Sequence, residues 1–373
     1  MTILRPLSVL ASLLMMAAGA MAQTPLLPPP GAPRPLLPPP GAPAPLAPVK
    51  KEKSGETAQP KAPAAAKKPA PAATPKPAAT PAPAPTVTPA PVFDDPNVDL
   101  VYGAYQRGQY KTAFDLATNR AQFNGDPKAM TMLGELYANA MGVKRDYAKA
   151  AEWYKRAADG GDREGMFALA MLRLAGRGGP VNREEAVKLL ASAAKLGNPK
   201  AAYNLALLYL DGQTLPQDVK RAAELLHLAA DAGNPEAQYA LATFYKEGTG
   251  VAKDIDKAVR LLQAASLAGN VDAEVEYAIA LFNGTGTPKN EAAAVELLRK
   301  AARQNSPIAQ NRLARVLVSG QGAAMDKIEG LKWHIVAKTA GKGDPMLDEA
   351  LAALSPEDRT KAQDAARKWL GAK

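Results

Sequence analysis

Histidine, cysteine and paired carboxylates carry much of enzyme chemistry, and this chain has little of the first two. It holds two histidines and no cysteine in 373 residues. Without cysteine there is no structural disulfide, no thiol nucleophile, no cysteine-ligated metal and no acceptor for a lipoprotein's lipid. His227 and His334 lie far apart in the sequence, each alone on an expected helix. Each can be read as a packing residue or as a ligand or pH switch, and isolation favours packing. Carboxylates pair at Glu184/Glu185 and Asp348/Glu349. They sit at helix starts or on solvated faces, where the helix dipole accounts for negative charge and no acid/base pair need be invoked. No nucleophile, base and orienting group stand together. The sequence therefore points away from an enzyme, and the expectation is no catalytic residue, no cofactor and no metal.

Glycine pairs are the remaining chemical signal: "GTGVAKD" at 248–254, "GTGTPKN" at 284–290 and "GQGAAMD" at 320–326. A Gly-x-Gly before a helix can cradle phosphate, but here it recurs at a fixed phase after a helix rather than after a strand. That makes it a turn. The elements around it repeat as well, since Gly125, Gly161, Gly197, Gly233, Gly269, Asn305 and Gly341 stand 36 residues apart. Asparagine is the non-glycine residue that best tolerates a left-handed backbone. Six units follow, at 126–161, 162–197, 198–233, 234–269, 270–305 and 306–341.

Each unit opens on a helix N-cap, at Asp126, Asp162, Asn198, Asn234, Asn270 and Ser306, with proline next in four of them. A second capping column falls at Asp146, Asn182, Asp218, Asp254, Asn290 and Asp326, so each unit is a helix pair. Small residues recur where two helices must approach, as at Gly134, Ala170, Ala206, Ala242, Ala278 and Ala314. Large apolar columns fill the rest: Leu133, Leu169, Leu205, Leu241, Tyr277 and Leu313 on the first helix, Trp153, Leu189, Leu225, Leu261, Leu297 and Trp333 on the second. One pair cannot bury such faces alone, whereas stacked neighbours share a continuous core. The expected fold is all-α, a right-handed α-solenoid of helix-turn-helix repeats with a 36-residue period.

Unit one carries Ala129, Leu133, Gly134, Tyr137, Gly142, Val143, Asp146, Lys149, Ala150, Trp153, Tyr154, Ala157, Ala158 and Gly161. On these residues the chain resembles the Sel-one-like repeat (SLR) family, relatives of the tetratricopeptide repeat with a longer loop between their helices. The resemblance covers 126–341. Units two and five depart from it, with Arg173 and Leu281 where the pattern has tyrosine. Residues 97–125 read as an N-terminal capping helix pair joined by an "RGQ" turn, and 342–373 as C-terminal capping helices, the last begun by Ser355, Pro356 and Asp358. Terminal repeats need such polar caps.

The sixth, tenth and thirteenth places of each unit, all on its first helix, share one face. They hold Phe167, Met171 and Leu174 in unit two, Tyr203, Leu207 and Leu210 in unit three, and Tyr239, Thr243 and Lys246 in unit four. The resemblance implies that these places line a concave surface, which makes them a candidate partner-binding groove centred on units two to four. The alternative is that the rings pack between neighbouring helices. Both readings stand at this stage.

The first quarter of the chain is different material. Arg5, an apolar run from Leu7 to Ala18 and the small-x-small site Ala20-Met21-Ala22 predict a signal peptide over 1–22, too short for an integral membrane span. Residues 23–96 are rich in proline and alanine, with "PLLPPPGAPR" and "PLLPPPGAPA" in tandem. They are expected to be a disordered, semi-rigid spacer, with binding of its PxxP-like stretches by a partner domain as the alternative. The formal charge of +10 spreads along the chain without a basic block, so nucleic acid is not an expected partner. Weak binding of the linker's lysines to anionic envelope surfaces remains open.

Export without a lipid anchor predicts the periplasm, with secretion second. The expected function is that of an adaptor or scaffold binding a protein or peptide partner through the solenoid; the alternative is an envelope protein binding wall polysaccharide through the linker. The resemblance adds that some periplasmic SLR proteins hold sensor kinases inactive. It adds too that some bind β-lactams, but those are cysteine-rich.

Overall fold

A computed structural model describes residues 99–371; the expected signal peptide and the Pro/Ala-rich segment lie outside the described residues. Within them every regular element is an α-helix. The first and second helices are Pro127–Asn139 and Tyr147–Asp159 in unit one, Arg163–Ala175 and Arg183–Lys195 in unit two, and Pro199–Asp211 and Val219–Asp231 in unit three. They are Pro235–Glu247 and Ile255–Leu267 in unit four, Val271–Asn283 and Glu291–Arg303 in unit five, and Pro307–Ser319 and Lys327–Thr339 in unit six. Leu100–Gln106 and Tyr110–Phe123 precede them, and Pro345–Ala352 and Pro356–Gly371 follow.

The uniform helices follow from their caps. At the start of each second helix the capping Asp or Asn accepts a hydrogen bond from the backbone N–H three residues on, as Asp146 does from Lys149 and Asp218 from Arg221. At the start of the first helices, Asn198, Asn234 and Asn270 do the same for Ala201, Ala237 and Ala273. Each bond satisfies one of the orphan donors that a helix start leaves open. Between units the 36-residue column takes the left-handed conformation throughout, Asn305 included at φ 67°.

The core follows the alternation of the two helices. In the first helix Leu133, Leu169, Leu205, Leu241 and Leu313 are buried, as the sequence pattern predicts, while Tyr277 is half-buried. In the second helix the deepest column lies one residue beyond the expected one, at Tyr154, Leu190, Leu226, Leu262, Leu298 and His334. Trp153, Leu189, Leu261 and Leu297 are only half-buried; Leu225 and Trp333 are buried. Both columns are apolar in most units, so periodicity alone did not separate the face against the partner helix from the face beside it. A Cβ on Gly134 would lie 2.5 Å from the Tyr154 ring, which explains the small residue there.

In five of the six turns a glycine, at Gly142, Gly178, Gly250, Gly286 or Gly322, approaches the preceding helix. A Cβ on Gly178 would sit 2.1 Å from the Tyr147 carbonyl oxygen, and one on Gly322 would sit 2.7 Å from the Glu291 Cβ. These turns thus dock each unit onto the one before. At the C-terminus the last helix buries Ala362 and Ala366 in the core of units five and six, and Trp369 meets Trp333 edge-on with ring centroids 5.0 Å apart. No helix among the described residues is long and apolar enough to cross a membrane.

Candidate functional site

The residues that carried chemical suspicion in the sequence are paired locally. His334 is fully buried, with Nε2 2.8 Å from Asp348 Oδ1, and Lys338 donates to the same oxygen at 2.7 Å. Those two hydrogen bonds hold Asp348 below the usual carboxylate range. The histidine occupies the deep core place filled by Tyr154 in unit one and ties the C-terminal helices to unit six. His227 packs edge-on against Tyr245, its Nε2 2.8 Å from the tyrosine hydroxyl. Glu184 accepts from Lys188 at 2.6 Å, and Glu185 accepts from Arg173 Nε at 2.8 Å. Arg173 thus makes an ion pair at the place where Tyr245 of unit four makes a ring contact.

The stripe over units two to four is where the structure narrows the sequence reading. Its side chains face the seam between one first helix and the next. In unit one Thr131 donates to Asp162, the cap of unit two, at 2.6 Å. Phe167 lies 6.0 Å from the Lys200 ammonium of unit three. In unit four Lys246 donates to Glu276 of unit five at 3.0 Å. Closing the seam buries Phe167 to 6%, Tyr203 to 7%, Leu207 to 4% and Leu210 to 1% exposure. Those four pack between helices and offer little to a partner. Met171, Leu174, Tyr239 and Thr243 are half-buried, and Lys246 is exposed. The usable surface there is a shallow margin, narrower than the groove the stripe suggested.

Charge along the seam reflects that closure. Burial, then the nearby Glu236, pushes the Tyr203 hydroxyl up to about 12. Burial, followed by Glu276 and Asp272, raises Tyr239 as well. Asp272 is raised by burial and by its like-charged neighbour Glu276, and Glu164 is raised by burial. Burial lowers Lys200 against the pull of Glu164. The margin of units two to five is therefore a polar, mainly acidic strip over packed tyrosines.

Between units five and six the seam stays open. Val275 takes the sixth place where units three and four have tyrosine, and a cleft of about 220 Å³ lies between the two first helices. Ile279, Phe282, Leu298 and Val316 give it an apolar lining, and Arg312 and Arg315 contribute cationic side chains. The sequence reading centred the groove on units two to four, so this cleft lies outside the stripe it favoured. Among the described residues no group of His, Asp and Glu could hold a metal ion.

The Sel1 repeat matches six times, at residues 127–162, 163–198, 199–234, 235–270, 271–306 and 307–342. The chain belongs to the Sel1 repeat family. Each match starts one residue after the N-cap that opens a unit, so the family's repeat and the capping column define the same period. Comparison with curated proteins gives no match. Among solved structures, the chain is similar to a Sel1 repeat protein from Oxalobacter formigenes, with 26% identity and a TM-score of 0.58 over 64% of this chain and 98% of that one. It is also similar in fold to a protective antigen of uropathogenic Escherichia coli that displays an SLR fold, with 24% identity and a TM-score of 0.50 over 72% of this chain and 67% of that one. Sel1 repeat solenoids commonly serve as protein-interaction scaffolds.

Proposed function

We propose that this Sel1 repeat chain is an exported, non-enzymatic adaptor that holds a protein or peptide partner along the first-helix face of its solenoid. The observation that carries the reading is the register of the six units. Each second helix packs on the first helix of the next unit, which sets the first helices side by side, and stripe side chains cross between them, as Lys246 reaches Glu276 and Thr131 reaches Asp162. Such stacking yields one extended face, the surface that repeat proteins use for binding. Family membership supports the scaffold role. Arg5, the apolar run and Ala20-Met21-Ala22 support export to the periplasm, where regulation of envelope signalling is the finer form of the proposal.

The test is affinity capture from an envelope extract, using the mature chain and a version lacking 23–92. The proposal expects one protein partner in stoichiometric amount with both. Retention of wall polymer by the full mature chain alone, with no protein, would replace it with the polysaccharide reading of the linker.

A further inference from the structure

The cleft between units five and six has three properties that together select a ligand. One side of its lining is apolar, through Ile279, Phe282 and Val316, and Asn283, Ser319 and Gln321 add neutral polar groups. Arg312 is exposed and makes no hydrogen bond or ion pair among the described residues. Arg315 pairs with Asp344 through Nε, and its terminal guanidinium nitrogens are free to donate elsewhere. Asp344 offsets the charge of Arg315, so the uncompensated charge at the cleft is that of Arg312, and Arg315 adds hydrogen-bond donors. An unpaired guanidinium beside an apolar cleft complements a carboxylate attached to an apolar group.

Size narrows the choice further. At about 220 Å³ the cleft is smaller than the roughly 300–1,000 Å³ of small-molecule sites. The carboxylate and the apolar group must therefore belong to one small unit. A peptide's C-terminal residue, when large and apolar, carries both on a single Cα, and C-terminal carboxylate capture is an established mode of peptide recognition.

We infer that this cleft takes the C-terminus of a peptide partner, with its carboxylate on Arg312 and Arg315 and its last side chain against Ile279, Phe282 and Val316. The inference deepens the adaptor reading and rests on it. Arg312 supplies the charge, and the cleft supplies the preference for a large apolar end.

Fluorescence anisotropy on the full mature chain tests it with two labelled probes, Ser-Gly-Ser-Gly-Ala-Leu-Phe as the free acid and as the C-terminal amide. The free acid is expected to bind saturably and the amide at least about tenfold more weakly, the loss typical of one charge-assisted hydrogen bond. Arg312→Ala should abolish the difference between the probes, and Arg312→Lys should restore part of it. Since Arg312 is exposed, neither change should alter the melt. Equal affinity for acid and amide overturns the inference, as does undiminished binding by Arg312→Ala or no saturable binding up to about 1 mM. A silent probe with envelope capture intact discards the cleft alone; loss of both discards the adaptor reading too.

Discussion

Single residues show where local rules held and where they were overridden. Five of the six first helices end on a left-handed glycine, Gly176, Gly212, Gly248, Gly284 and Gly320, whereas unit one holds Ala140 at φ 59°. A Cβ in that conformation costs about 1 kcal/mol. Ala140→Gly is therefore expected to raise the urea midpoint by an equivalent of ~1 kcal/mol, and a lower midpoint would refute the strain. Tyr203 gives a pH prediction. Its hydroxyl rises from 10.0 to about 12 on folding, so the folded state holds the proton more tightly than the unfolded chain. The stability tied to it is complete below pH 10 and is lost as pH rises through about 12. Tyr203→Phe should flatten the fall in urea midpoint between pH 10 and about pH 12, and an unchanged slope would count against burial as the cause. Periodicity put Tyr203 on the right face, but whether that face is core or groove depends on the next unit's side chains. The same dependence hid the deep column of Tyr154, Leu190 and His334, one place past the expected one.

At the scale of helices, the sequence was most legible where a side chain bonds its own backbone. The capping columns set both ends of every pair because an Asp or Asn cap and a left-handed residue act within a few positions of the break they make. Asn198 shows how far a cap can reach. It is buried, accepts from Ala201 at 2.8 Å and lies 3.4 Å from the Arg163 carbonyl of the preceding unit. Asn198→Ala should cost ~1–2 kcal/mol by thermal or chemical denaturation, toward the upper end for a cap. A loss within error would mean that water replaces it. The turn glycines were recognised as turns, but their second role was out of reach, because the close approach of Gly178 to Tyr147 links residues of different units. Gly178→Ala combines that clash with an unfavourable φ of 74°, and should destabilise more than Ala140→Gly stabilises.

At the scale of the whole molecule, contacts run from each helix to its neighbours in sequence, so stability should sum over units and their seams. Removing one complete period, 198–233, joins two compatible seams and should leave a folded, shorter solenoid with a lower melting temperature. Collapse to an unfolded chain would argue for long-range cooperativity that this topology lacks. The solenoid was legible as a whole because six copies reinforce each weak signal, whereas the cleft between units five and six belongs to one seam and carries no repeat to announce it. The central claim, that the first-helix face holds a protein partner, is tested most directly by hydrogen exchange on the mature chain with and without the captured partner. The account predicts added amide protection on the first helices, strongest over Val271–Asn283 and Pro307–Ser319. Protection confined to the second helices or to residues 23–96 would contradict it.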